Sequence, residues 1–370
     1  MQQYDIDFFD RDLIFVHRDF VNDIRVDEDY LSLTQNSVEI GGTTAVKNGH
    51  FIRIVGNGVK FFGVVSDCNP GQYKTTVFFK PFLSLFNENI CFDTNAQNKT
   101  VDRVVDGVTE KINAKSLENV IKDYITSEYI NASDTLQNLN ITVSVVTDTR
   151  PWGLNITSDV EGSHYALIGL YDVLISRAMK QYGIALNIEP DFQRKKVTIV
   201  ISTQDQMLNI DGNLDSVTVK TLKMNDRPDG INKLTVIDTT DFTRRITFYV
   251  YTDRTWGIDD RNRITPVVKE YALATPDESI SDPITAFGSA ALDVGYSKLS
   301  GLAWDNLIEL ELIPSDPNIN AVDMKFGQPI ALWYKGARYI SILTGRMLNS
   351  GTITLSFGSE RIHYSKRRSS

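Results

Sequence analysis

The fold is decided by the stretch Leu307-Ile308-Glu309-Leu310-Glu311-Leu312 and by the runs that follow it in this 370-residue chain. Three further runs are rich in β-branched and aromatic residues and cover 326–334, 338–344 and 352–358. Turn-forming residues separate them, and such a succession is typical of short antiparallel strands. We therefore predict a small antiparallel β-barrel over residues 302–364.

Glu309 and Glu311 alternate with Leu310 and Leu312 in the first of these runs. This period of two places the leucines on one face of a strand and the glutamates on the other. Two carboxylates about 5–10 Å apart are also what a glycoside hydrolase needs, but a chain with 47 acidic residues always offers such a pair. We interpret the glutamates as the wet face of a half-buried strand, which a neighbouring subunit could also cover.

The N-terminal part of the chain shows a similar succession of short predicted strands. Five runs predict strands, at 14–16, 37–40, 50–55, 59–65 and 75–79. Gly56-Asn57-Gly58 lies between two of them and is typical of a hairpin turn, because Gly and Asn tolerate a positive φ. Strands at roughly ten-residue spacing predict a closed barrel or a sandwich.

The middle of the chain predicts two helices. The first is indicated by apolar residues at helical spacing from Leu117 to Ile125, with Ser116 or Asn113 as its N-cap. The second covers 165–182, with Ser163 at the N-cap and Gly183 just after the end. Its broad apolar stripe favours burial against a sheet, to which a strand at 195–201 would belong.

Strands are predicted again at 231–237 and 247–251, whereas 272–300 looks loop-like or weakly helical. The predicted fold class is α+β, mostly β, with two small antiparallel β-barrels flanking an α+β insert. An interrupted duplication of one barrel is a hypothesis that this arrangement raises. The predicted division is an N-terminal barrel, an α+β insert, a second barrel in two segments, a small insert and a basic tail, at 1–92, 93–228, 229–250 with 301–364, 251–300 and 365–370.

The charge and cysteine content of the chain limit the functions that it can have. The formal charge of −9 means that the surface as a whole does not attract nucleic acid. The terminal cluster Lys366, Arg367 and Arg368 is either a solvated end or a contact with an acidic subunit. Cys68 and Cys91 do not make a disulfide framework and are predicted to be small buried hydrophobes.

No targeting or membrane segment is predicted. The start of the chain lacks the basic and apolar segments of a signal peptide. No apolar run approaches the roughly 20 residues that a membrane-spanning helix needs. We therefore expect synthesis in a cytoplasm and no membrane span.

No catalytic, cofactor-binding or metal-binding residue is predicted. The four histidines, His17, His50, His164 and His363, are scattered and do not favour a metal site. Ser163 lacks the flanking glycines of a nucleophile elbow, and Gly56-Asn57-Gly58 lacks the third glycine of a phosphate loop. The sequence leaves open whether the tryptophans pack or bind sugar; they are Trp152, Trp256, Trp304 and Trp333.

The chain resembles the tail-tip and baseplate hub proteins of bacteriophages, the Tal-like family of central hub modules. The closing segment carries most of the likeness, from 306–311 through 326–339 to the run Phe357-Gly358-Ser359-Glu360-Arg361. Three further stretches are similar, at 50–65, 165–183 and 229–236. Larger members carry a lysozyme or peptidase domain after the hub, whereas this sequence stops soon after Arg361.

The resemblance implies a homotrimer in which six barrels form a pseudo-six-fold ring. Such a ring would join the distal tail protein ring to other tail-tip or receptor-binding proteins and would let phage DNA pass without specific binding. It implies a structural, non-enzymatic protein of the virion tail tip. A carbohydrate-binding tail adhesin and a cell-wall hydrolase are the alternatives that the sequence leaves open.

Overall fold

The computed structural model describes residues 3–42, 45–56, 59–97, 99–105, 108–150, 152, 154, 156, 163–204, 206–223, 231–251, 256–260, 263, 267–276, 280–299, 306–313, 319–321, 323–349 and 351–358. Its strands are β1 Tyr4–Phe9, β2 Phe15–Val21, β3 Val26–Asp29, β4 Asn36–Gly41, β5 Phe51–Gly56, β6 Val59–Pro70, β7 Lys74–Pro81, β8 Asn89–Asp93, β9 Thr100–Val105, β10 Val108–Asn113, β11 Ile141–Val145, β12 Tyr165–Gly169, β13 Ala185–Asp191, β14 Lys196–Ser202, β15 Leu208–Asp211, β16 Val217–Lys223, β17 Lys233–Asp238, β18 Arg245–Val250, β19 Trp256–Gly257, β20 Lys269–Ala274, β21 Leu307–Leu312, β22 Pro329–Tyr334, β23 Ala337–Asn349 and β24 Thr352–Phe357.

The helices are α1 Thr94–Gln97, α2 Leu117–Ile125, α3 Ser176–Tyr182 and α4 Pro283–Leu299. A π turn, Thr126–Ile130, continues α2, and another, Leu170–Ile175, leads directly into α3. Short 3₁₀ turns cover Phe82–Phe86 and Thr135–Gln137. The chain is therefore mostly β, as predicted.

The N-terminal sheet is antiparallel and has the strand order β2-β1-β5-β6-β7-β4. Its alternation is regular in β7, where every second side chain is buried. The edge strands β2 and β4 meet at one point, because the Gly41 N–H donates to the Asp19 carboxylate at 2.6 Å. The sheet is thus strongly curled, and the five strands predicted in this region are confirmed.

The closing sheet has the order β15-β22-β23-β24-β21-β16, and β3 pairs with β23 on its side. The four strands predicted after residue 302 are present as β21 to β24. The strand β3 comes from the N-terminal part of the chain, so one polypeptide segment passes from the first sheet into the second. This crossing ties the two sheets together.

The second β unit is completed by strands other than those predicted. Residues 229–250 were assigned to it, whereas β17 and β18 pair with each other, with β19 and with β20 in a separate four-stranded sheet. That sheet has its own hydrophobic core with α4, formed around Leu234, Phe248 and Phe287. Short strands β15 and β16 take the predicted place in the closing sheet.

Of the two alternatives for 272–300, loop-like or weakly helical, the structure shows the helical one over most of the described residues. The region contains the end of β20 and the 17-residue helix α4. Several small residues, among them Ala286 and Ala291, form the buried side of α4. Small side chains make the apolar period weak in the sequence, which explains why the sequence left loop and weak helix as alternatives here.

The second predicted helix begins later than expected. Residues Tyr165–Gly169 form β12, antiparallel to β8, and the helical segment starts at Leu170. Ser163 is therefore not the N-cap; its Oγ accepts a hydrogen bond from the Tyr165 N–H at 3.1 Å. The predicted end is confirmed, because Gly183 lies just past α3 with a φ of 68°.

The first predicted helix is confirmed, and Ser116 is its N-cap. The Asn119 N–H donates to Ser116 Oγ at 3.3 Å. The helix packs by its apolar face against the sheet β11-β14-β13, so this middle unit is α+β. One continuous hydrophobic cluster joins the N-terminal sheet, the middle unit and the closing sheet.

The prediction that both cysteines are buried is wrong. Cys68 is half-buried and Cys91 is exposed, and both are free thiols. In β8 the side chains of Ile90 and Phe92 point inward, so Cys91 between them points outward.

Candidate functional site

A cavity of about 660 Å³ lies where the N-terminal sheet, β13 of the middle unit and the closing sheet meet. Aromatic rings contribute to its walls: Phe62 comes from the first sheet, Phe82 from the 3₁₀ turn after β7, and Phe326 from the loop before β22. Charged side chains lie among these rings. This junction is where the relative position of the three parts of the chain is set.

Glu28 and Arg346 form an ion pair across β3 and β23 at the junction. Their closest distance is 3.2 Å, and about one sixth of each side chain is exposed. The Arg346 guanidinium also lies 4.8 Å from the centre of the Phe326 ring. Burial raises the pKa of the Glu28 carboxyl, although Arg346 draws it in the opposite direction. The pair fixes the crossing strand β3 on the closing sheet.

Tyr30 joins three parts of the chain just after β3. Its hydroxyl accepts a hydrogen bond from the Leu186 N–H of β13 at 3.0 Å. Its carbonyl accepts one from the hydroxyl of Tyr171, which belongs to the π turn before α3. Only 1% of Tyr30 is exposed, and this burial raises the pKa of its hydroxyl. Tyr30 therefore acts as a buried crosslink.

A buried carboxylate also crosslinks the N-terminal sheet. Arg18 Nε donates to Asp7 at 2.5 Å, and Arg53 Nε donates to the other oxygen at 3.0 Å. The Arg53 guanidinium lies 4.6 Å from the ring centre of Phe192, which follows β13. The group thus reaches from the first sheet to the middle unit.

These arrangements hold parts of the chain together. Each carboxylate named above accepts from a guanidinium, and each tyrosine group is engaged with backbone. Sequence reasoning missed all of them, because their partners are far apart along the chain. The visible signal was limited to the charged residues inside apolar strands, such as Asp7 between Ile6 and Phe8.

The predicted alternation of Glu309 and Glu311 is confirmed in β21, where Leu310 and Leu312 are buried. Both glutamates are half-buried and contact β16. Thr221 Oγ1 donates to Glu309 at 2.8 Å, and Lys220 forms an ion pair with Glu311. They stabilise the pairing of β21 with β16.

The three histidines that the structure describes do not form a common site. His17 stacks on Phe8, and the Lys47 N–H donates to His50 Nδ1 at 3.3 Å. His164 lies against Tyr165, and His363 is outside the described residues. Among the described residues, no three His, Cys, Asp or Glu side chains form a group that could hold a metal ion.

Most of the described tryptophans are packed. Trp152 is buried, and its Nε1 donates to the Lys115 carbonyl at 2.9 Å. Trp256 packs edge-on against Phe248. Trp333 is 48% exposed beside Arg338, whereas Trp304 lies outside the described residues. Of the three described tryptophans, Trp333 thus has the most exposed ring that a sugar could contact.

The edge strand β2 carries exposed apolar side chains. Phe15 is 55% exposed, Phe20 is 50% exposed, and Ile14 just before the strand is also exposed. Beside β2, a polar groove of about 790 Å³ lies next to the Asp19–Gly41 contact, and Asp19 and Phe20 are among the residues that line it. An exposed aromatic edge of a sheet is a surface on which another chain can pair or pack.

No protein-family model matches this chain, and no curated protein matches its sequence. Several solved structures align with nearly the whole of this chain. A tail protein from Neisseria meningitidis has 11% identity and a TM-score of 0.47, with 96% of each chain covered. A prophage tail protein from Shewanella oneidensis has 12% identity and a TM-score of 0.49, with 95% of this chain and 98% of that chain covered.

A prophage tail protein from Listeria monocytogenes has 8% identity and a TM-score of 0.48, with 98% of this chain and 96% of that chain covered. Of these three neighbours, two are described as prophage tail proteins and one as a tail protein. In the described parts of this chain, no helix is long and apolar enough to cross a membrane.

Proposed function

We propose that this chain is a structural hub protein of a phage tail tip or baseplate. The observation that carries the proposal is the strand β3, which lies between β2 and β4 along the chain but pairs with β23 of the closing sheet. Two β units of one chain are thereby joined around a common hydrophobic core. A hub has to hold its parts in a fixed relation while it is loaded by neighbouring proteins.

The proposed assembly is a homotrimer. Three chains with two β units each would make a ring of six units, in which each β unit is a small barrel. Such a ring matches a six-fold tail ring through a closed symmetric interface. The proposed division keeps the N-terminal barrel, ends the α+β insert before β15, and moves β15 and β16 from that insert to the second barrel. The unit of β17 to β20 with α4 is then the small insert.

The proposed partners are the distal tail protein ring and other tail-tip or receptor-binding proteins. A channel through the ring would let phage DNA pass during ejection. The exposed edge of β2 supports a contact between neighbouring chains. The proposed location is the tip of the virion tail, and the proposed role is mechanical and not enzymatic.

Native mass spectrometry of the purified chain at micromolar concentration tests the assembly. We expect a species of three times the 41.7 kDa chain mass, together with rings in negatively stained micrographs. A monomer at every concentration, without rings, would contradict the trimer. Incubation with bacterial cell walls tests the non-enzymatic role, which release of soluble wall fragments would overturn.

A further inference from the structure

The sheet of β17 to β20 has one covered and one open face. The register pairs Leu234 with Phe248 on the side that α4 covers. Residues directly opposite each other on neighbouring strands share a face. The face away from α4 therefore contains Lys233, Thr235 and Ile237 of β17 and their partners on β18 and β20. The open face of these three strands consists of Lys233, Thr235, Ile237, Arg245, Thr247, Tyr249, Lys269, Tyr271 and Leu273.

This open face is basic. Among its nine positions three are cations and none is acidic. The carboxylate of β20, Glu270, lies on the other side, where Lys298 of α4 forms an ion pair with it. Arg263, which bridges to Tyr251, adds a further guanidinium 5.1 Å from the Tyr249 ring centre. Because the whole chain carries a charge of −9, composition alone does not account for such a face.

Two of the cations oppose each other directly. Lys233 of β17 is the register partner of Lys269 of β20. Like charges at opposite positions of neighbouring strands destabilise a sheet. A bound polyanion would remove this repulsion. Its phosphates would find Lys233 and Lys269 side by side in one row across the strands, and Arg245 two rows further along the same face.

Aromatic rings are interleaved with these cations. The Lys233 ammonium lies 5.8 Å from the Tyr249 ring centre, on the same ring that Arg263 contacts. Tyr271 is 58% exposed, whereas its register partner Thr235 on the same face is nearly buried. An exposed ring among cations on a sheet is the arrangement on which unpaired bases stack while the phosphates are neutralised.

We propose that this face binds single-stranded nucleic acid without sequence preference. Lys233, Lys269 and Arg245 would contact phosphates, and Tyr271 would stack on a base. A duplex hides the faces of its bases, and an anionic wall polymer has no base to stack. The exposed tyrosine therefore favours a single strand. The inference comes from this sheet alone and does not depend on the proposed tail function.

Fluorescence anisotropy with a labelled oligothymidine of about 20 nucleotides tests the proposal. At low salt we expect saturable binding with a Kd of about 1–100 µM, weakening steeply as salt is added. Lys233→Glu with Lys269→Glu should abolish detectable binding. Lys74→Glu, which changes an exposed lysine of the N-terminal sheet, should leave binding by this face in place.

Substitutions at Tyr271 distinguish stacking of the ring on a base from binding by charge attraction alone. Tyr271→Ala should weaken oligothymidine binding about tenfold, whereas Tyr271→Phe keeps the ring and should bind nearly as the parent chain does. A thermal melt checks that each variant is folded. Duplex DNA and inorganic polyphosphate serve as competitors, and we expect both to compete less well than the oligothymidine.

Three results would overturn the proposal. They are no saturable binding to the parent chain, equal binding by Tyr271→Ala, and stronger competition by duplex or polyphosphate than by the single strand. The last result would make the face a general anion contact. None of these measurements depends on the oligomeric state, so failure here leaves the proposed hub role untouched.

Discussion

Asp7 and Arg53 lie directly opposite each other on β1 and β5, and Arg53 Nε donates to the Asp7 carboxylate at 3.0 Å. Arg18 faces Asp7 from β2 on the other side. Only 1% of the Asp7 side chain is exposed. Burial by itself raises the pKa of this carboxyl, but the hydrogen bonds from Arg18 and Arg53 outweigh it, so the pKa lies below its ordinary value of 3.8.

The first prediction concerns Asp7→Asn. A carboxyl with a lowered folded-state pKa stabilises the fold above its unfolded pKa of 3.8, and this contribution is lost as the pH falls through the lower folded value. We expect the variant to lose about 2–4 kcal/mol of unfolding free energy at neutral pH, since two guanidinium groups lose their partner. Urea unfolding at neutral pH and near pH 3 measures the loss, which should shrink in acid.

Glu39→Gln is the control for this prediction. Glu39 forms an ion pair with Lys74 in the same sheet, but 60% of its side chain is exposed. Its removal should change the unfolding free energy by less than about 1 kcal/mol. An equal loss for Asp7→Asn at every pH would show that packing, and not charge, accounts for the effect.

The second prediction concerns Gly63 in β6. A Cβ at this position would lie 2.2 Å from the Lys80 carbonyl oxygen and 2.7 Å from the Phe61 ring. Gly63→Ala should therefore destabilise the N-terminal sheet by about 3 kcal/mol or more. Gly288→Ala in α4 is the matched control, because no atom lies within 4 Å of its Cβ position. It should stabilise the chain by about 0.5–1 kcal/mol in thermal or urea unfolding.

Many of the strands could be located along the sequence, because the alternation of buried and exposed side chains with a period of two is a local feature. β7 and β21 show it clearly and were found correctly. The pairing of strands could not be predicted, since the partners of β3 and β16 are distant in sequence. The segment 165–169 was mistaken for helix because β12 continues without a turn into the apolar run at Leu170. Periodicity alone does not separate a short apolar strand from the start of a helix.

The third prediction tests this revised boundary with two serines. Ser116 is 1% exposed and accepts hydrogen bonds from the N–H and the side-chain amide of Asn119. Ser116→Ala should cost about 1 kcal/mol of unfolding free energy. Ser163→Ala should cost less than about 0.5 kcal/mol, because its Oγ accepts from Tyr165 outside any helix. Equal losses in urea unfolding would favour a helix that starts near Ser163.

The buried crosslinks of the junction could not be predicted in the same way. Glu28 is one of 47 acidic residues, and Arg346 is more than three hundred positions away. Neither belongs to a motif, and what distinguishes them is burial between β3 and β23. Glu28 and Arg346 pair because β3 lies beside β23 in the fold. The local pattern of hydrophobic and turn residues does not predict which distant strands become neighbours.

The fourth prediction links the edge strand β2 to the proposed trimer. Phe20 is 50% exposed on this strand, and a charge there would have to be desolvated if a neighbouring chain covers it. Phe20→Asp should therefore shift the native mass from trimer towards the 41.7 kDa monomer. Leu136→Asp is the control, since Leu136 is 79% exposed in a short 3₁₀ turn and belongs to no strand. If β2 is the contact, Phe20→Asp should dissociate the trimer and Leu136→Asp should not. A trimer that survives Phe20→Asp would place the contact elsewhere. Dissociation by both variants would indicate general destabilisation.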